Sequence, residues 1–138
     1  MKSRDSLIRL KRFQVDEKRR QVAQIEMMIA EFERLAAELD QQILAEQQRS
    51  GIHDVTHFAY PTFARAAMQR RDNLRTSAEE LKGQLQDARD ALAEAYEDLK
   101  KFEILDERDG ERERVTQAAR EQAALDEAAQ RMRGRALS

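Results

Sequence analysis

A chain of 138 residues that is 38% charged and 41% apolar, with one proline, four glycines and no tryptophan, has the composition of long helices and not of a compact globule. The absence of cysteine excludes disulfides, iron–sulfur clusters and thiolate zinc sites, and a mean hydropathy of -0.85 leaves no stretch of about eighteen apolar residues to span a bilayer. The net charge of -2 conceals a strong polarity: residues 1–20 carry eight Lys or Arg against three acids, whereas residues 79–109 carry eleven acids against five bases. No apolar run like that of a signal peptide opens the chain, so a soluble protein of the cytoplasm is expected.

The first predicted element is a helix over about 5–48, entered near Ser3 to Ser6, whose side chains suit an N-cap. Ile8, Val15, Val22, Ile29, Ala36 and Ile43 stand seven apart, and Lys11, Lys18, Ile25, Phe32 and Leu39 interleave at three-and-four spacing. Nine of these eleven are apolar, where chance would give about four or five, so the pattern is that of a coiled coil. At roughly 1.5 Å per residue such a helix reaches about 65 Å.

Residues 49–61 break the heptads. Gly51 is placed to cap the first helix and Pro61 to open the next. Ile52, Val55, Phe58, Tyr60 and Phe63 crowd apolar side chains into this short loop, where they either tuck into an end-cap core or form a docking patch; Phe58 and Tyr60 are the expected exposed members. His53 and His57 stand four apart, but in a loop and with no third ligand beyond Asp54, they read as two solvent-exposed histidines, and no metal or other cofactor is expected.

The second helix is predicted over about 62–108. Its seam runs Leu74, Ala78, Leu81, Leu85, Ala88, Leu92, Ala95, Leu99 and Phe102 without a polar interruption, and extends back more weakly through Ala67, Ala64 and Tyr60, with Arg71 as the one break. Two seams of similar length joined by a short loop fold back as an antiparallel hairpin. The loop sets a register that lays Lys11 and Lys18 against Leu99 and Leu92, where their aliphatic stems cover the seam while the ammonium groups reach nearby acids. These exposed pairs select orientation more than they stabilise, since a parallel pairing would bring like-charged blocks together.

That register leaves 111–138 with nothing in the same chain to pack on. Val115, Ala118, Gln122, Leu125, Ala129 and Met132 keep helical spacing, so a projecting helix of about twenty residues, near 30 Å, is expected. Gly110 reads as a hinge or weak point before it, and the tail at Arg131, Met132, Arg133, Gly134 and Arg135 as frayed and basic. The predicted fold is thus all-α: one domain over 1–138, a long antiparallel two-helix coiled-coil hairpin with a projecting C-terminal helical segment.

Function follows by exclusion. A hairpin offers its carboxylates no concave, desolvated pocket, and the chain has neither a glycine-rich phosphate loop nor a Ser–His arrangement, so catalysis is not expected. The basic N-terminal turns lack the interleaved aromatics of a nucleic-acid arm, and a pI near 5.8 argues against one. These exclusions leave open a general escort or holdase chaperone working through the apolar tip or the seam.

The combination of "SRDSLIRLKRFQVDEKRRQVAQIE", the turn "FAYPTFARAAMQRRDNL" and the close "LKKFEILDERD" resembles the FliJ family, the coiled-coil component of the bacterial flagellar type III export apparatus. The resemblance implies an antiparallel coiled coil similar to a rotary-ATPase stalk, without an active site, that inserts into the hexameric ring of the export ATPase FliI. It also implies contact with the export gate protein FlhA and, in some members, with export chaperones. Membrane association would come only through these partners, at the cytoplasmic face of the inner membrane. On this resemblance the residues expected at the ring are Arg4, Arg9, Lys11, Arg12, Arg19 and Arg20, with Arg131, Arg133 and Arg135, and those expected at the gate are Gln41, Gln42, Phe58, Tyr60 and Phe63.

Overall fold

The structure, a computed structural model, describes residues 2–137; Met1 and Ser138, the ends of the expected domain, lie outside the described residues. Two helices account for nearly all of it: α1, Lys2–Ser50, and α2, Thr62–Leu137, joined by residues 51–61. Contacts divide the chain into two units, residues 13–96 and residues 2–12 with 97–137.

Within residues 13–96 the helices run antiparallel, as the heptads require. The ion pairs Glu26–Arg89, Glu33–Lys82 and Asp40–Arg75 step seven residues forward along α1 and seven backward along α2. The predicted seam positions are buried or half-buried. Ile29, Leu81 and Leu85 form one cluster, with Val22, Ile25 and Phe32 packed against it. Leu39, Ile43 and Ala67 form a second, with Met68 and Leu74. Arg71, the break in the second seam, is held in place because its guanidinium hydrogen-bonds Asp40 at 3.0 Å; this bond keeps it firmly charged, above its ordinary pKa, against partial desolvation.

The loop is ordered by its own polar groups. Gly51 takes the left-handed conformation, φ 73°, and its N–H donates to Gln47 O at 2.9 Å, closing α1 as a C-cap. Pro61 O accepts the Arg65 N–H at 3.1 Å, so proline sits immediately before the first helical residue, where its missing N–H costs nothing.

In the other unit, residues 2–12 lie along α2 with Ile8 and Leu99 buried. The helices are bridged by Arg4–Asp109, Lys11–Asp98 at 3.2 Å and Arg12–Glu103 at 3.5 Å. Lys11 behaves as its seam position demands: its stem is half-buried and its ammonium lies 5.6 Å from the Phe102 ring centre.

Three expectations are corrected. First, α1 is longer than 5–48, since its helical hydrogen bonding continues to Ser50, whose hydroxyl turns back onto Gln47 O. Second, Gly110 is no hinge: α2 passes through it without interruption. A glycine costs an exposed helix about 1 kcal/mol relative to alanine, and the turns that follow are supported by Arg114–Glu111, Gln117–Glu121 and Gln122–Asp126 contacts at three-and-four spacing. Third, the tail is not frayed, because helix continues through Arg131–Gly134 to Leu137, with Arg131 paired to Glu127. The projection therefore exists, but as the unbroken end of α2.

Candidate partner-binding surfaces

The basic end does not present one open patch of cations. Arg4, Lys11 and Arg12 are engaged by Asp109, Asp98 and Glu103 of α2. Arg19 stands 3.8 Å from Asp16 and lies over the Tyr96 ring at 5.0 Å. Arg9, Arg20 and Arg133 are exposed and form no ion pair among the described residues; Arg131 is tied to Glu127, and Arg135 is exposed in the last turn. The spacing of these residues is legible in the sequence. Their intramolecular pairing depends on which acids α2 brings opposite them.

Beyond Gly110 the side chains of α2 are exposed almost throughout, including Val115 at 63%, Leu125 at 65% and Met132 at 70%. At about 1.5 Å per residue, residues 111–137 extend about 40 Å with nothing of this chain packed on them among the described residues.

The loop splits the expected aromatic pair. Phe58 is 95% exposed, and the His57 ring stacks on it at 4.8 Å. The loop around it is held by neighbours: Asp54 accepts hydrogen bonds from Thr56 N and Oγ1, His57 Nδ1 accepts from Ala59 N, and Arg65 donates to Val55 O. The Thr56 hydroxyl and amide hold the Asp54 carboxyl below its usual range. Tyr60, expected to be exposed, is instead 4% exposed. Its hydroxyl accepts a hydrogen bond from Gln47 Nε2 at 2.9 Å and donates toward Met68 Sδ at 3.5 Å, and Arg65 covers the ring. Tyrosine can enter this small end-cap because both ends of its hydroxyl are satisfied; Phe58 finds no such cover. Phe63 is 56% exposed.

Gln41 and Gln42 are exposed on α1, and Gln42 lines a groove with Leu35, Leu39, Arg70, Leu74 and Ser77. Heptad reading misses this groove because it collects seam and flank residues from both helices. No group of three His, Cys, Asp or Glu side chains suited to a metal ion occurs among the described residues, and among them no helix is long and apolar enough to cross a membrane.

The two helices and the bare end of α2 leave long exposed faces on the chain. The family model for the flagellar FliJ protein matches residues 1–138, its full length. The chain belongs to the FliJ family. No curated protein and no solved structure matches it. As a FliJ-family member it is a component of the flagellar protein export apparatus, in a family that is not catalytic, and its partners are components of that apparatus.

Proposed function

We propose that this FliJ-family chain is the stalk-like coupling element of the export apparatus, activating the export ATPase FliI at its open end and meeting the export gate protein FlhA near its loop. The observation that carries this reading is the unbroken run of α2 past the start of α1, which supplies a bare helix for insertion into a ring. Its neighbourhood supplies cations for the ring's acids. Arg9 and Arg20, which no carboxylate among the described residues engages, are the side chains available at once; Arg4, Lys11 and Arg12 would have to exchange their present partners. At the other end, Phe58 on its ordered loop has the character of a rigid aromatic anchor, the kind that dominates binding energy. The protein would then work at the cytoplasmic face of the inner membrane through its partners.

The test is the turnover of purified FliI with and without this chain. Stimulation is expected, and Arg9→Glu with Arg20→Glu should weaken it by more than about tenfold in apparent affinity, as reversal of interfacial charges does. Because neither arginine is paired among the described residues, the hairpin itself should be unaffected. Full stimulation by the double variant would remove the basic block from the ring contact. No stimulation by the unaltered chain would end the stalk reading, and suppression of client aggregation without any ATPase would favour a holdase.

A further inference from the structure

The loop folds as two tandem turns of one design. Asp54 leads the first: its carboxylate accepts the Thr56 N–H at 3.0 Å, and its carbonyl accepts the His57 N–H at 3.1 Å. His57 leads the second: its ring Nδ1 accepts the Ala59 N–H at 3.0 Å, and its carbonyl accepts the Tyr60 N–H at 3.0 Å. In each, a side chain takes the amide two residues on and the backbone takes the amide three on, a pattern usually closed by Asp or Asn. Histidine in that place adds a condition. Its Nδ1 accepts only while the ring is neutral with the proton on Nε2, because both nitrogens of an imidazolium are donors.

The two turns therefore open at different acidities. The first is held by a carboxylate that the Thr56 hydroxyl, at 2.7 Å, and amide keep below its usual range, so it stays closed wherever histidines titrate. The second loses its acceptor when His57 takes a proton, and histidine is the side chain whose ordinary charge change falls between about pH 5 and 8. The second turn is thus closed above the titration of His57 and open below it.

This turn carries Phe58, 95% exposed with the His57 ring stacked on it, and ends at Tyr60, which is anchored in the end-cap. Stacking by itself does not resist the charge, since a cation on an aromatic face is attracted; the lost acceptor does. Charged groups near the ring belong to the loop and to both helices. Asp54 attracts an added proton, and Arg65 of α2, which donates to Val55 O and lies over the Tyr60 ring, repels it. Arg49, in the last turn of α1, is tied to Glu46.

We infer that His57 is a proton-sensitive latch. Neutral, it closes the 57–60 turn and fixes the direction of Phe58; protonated, it releases the Ala59 amide to water and frees Phe58 to reorient, while Tyr60 stays anchored. The inference concerns the chain by itself and stands whether or not Phe58 meets a partner.

The test is nuclear magnetic resonance of the isotope-labelled full chain between about pH 8 and pH 5. At the upper end the ring nitrogens should report the proton on Nε2, and the Ala59 amide should move with the His57 ring through one midpoint. Corrected for intrinsic rate, hydrogen exchange at Ala59 should be about fivefold faster in the open form, as for the loss of one ordinary hydrogen bond. The backbone order parameter of Phe58 should fall from about 0.85 toward 0.6. His57→Asn supplies an acceptor that does not titrate, so the turn should stay closed and the Ala59 step should vanish, whereas His53→Ala should leave the step in place. A proton on Nδ1 at the upper end, an Ala59 amide indifferent to the His57 titration, a Phe58 equally ordered in both forms, a step that survives His57→Asn, or one that disappears in His53→Ala would each overturn the inference.

Discussion

Leu81→Ala tests whether the seam clusters hold the hairpin. Leu81 is 8% exposed and packs with Ile29 and Leu85. Truncation removes three carbons, and at about 0.8 kcal/mol per buried CH₂ the lost transfer free energy is about 2.4 kcal/mol. Leucine-to-alanine changes in cores cost about 2–5 kcal/mol, the upper end belonging to sites whose walls cannot close. A two-helix seam is bounded by water on both edges and closes readily, so about 2.5 kcal/mol is expected. The chain has two tyrosines, Tyr60 and Tyr96, and both lie within residues 13–96, so tyrosine emission during urea unfolding follows this unit. With a urea dependence of about 1–3 kcal/mol per molar, the midpoint should fall by roughly 1 M. Leu125→Ala, at a residue 65% exposed, is the control and should cost less than about 0.5 kcal/mol. If the two variants shifted the midpoint equally, the apolar seam would not be what holds residues 13–96 together.

Three further outcomes are expected. Gly110→Ala should stabilise the local helix by about 1 kcal/mol, because nothing lies within 4 Å of the added methyl; slower amide exchange around residue 110 would register it, and no slowing would contradict a continuous α2. Tyr60→Phe should cost about 0.5–1.5 kcal/mol through the hydrogen bonds to Gln47 and Met68, whereas Phe58→Ala should leave stability within about 0.5 kcal/mol; urea unfolding followed by circular dichroism separates them, and equal effects would refute the division of the loop into cap and anchor. Because the folded-state pKa of Asp54 is depressed, the order it confers is fully present above the ordinary carboxylate range and is lost as pH falls through the lowered value. The Thr56 amide resonance should therefore hold steady from neutral pH down to that range and move below it, and in Asp54→Asn it should show no such step.

Heptad spacing and the short loop together determined the class of fold, the antiparallel pairing and the alignment of the two seams. The reason is that a seven-residue apolar period buries one stripe per helix, and a short loop then permits few registers. It also exposed the projection beyond residue 110, since a helix with no partner opposite it is a matter of counting. Sequence likewise identified Arg71 as a break, but only the packed hairpin shows Asp40 beside it. Gly110 was misjudged for a local reason: propensity assigns glycine a modest cost, and the supported turns on its far side outweigh it. The opposite fates of Phe58 and Tyr60 were beyond composition to settle. Both are aromatic and two residues apart, and what separates them is that Tyr60 meets Gln47 and Met68 from both helices while Phe58 stacks on His57 and stays 95% exposed. The same holds for the cations of the basic end. Charge can be counted along a chain, but whether a charge is satisfied or left for a partner is decided by which side chains the tertiary structure brings within reach.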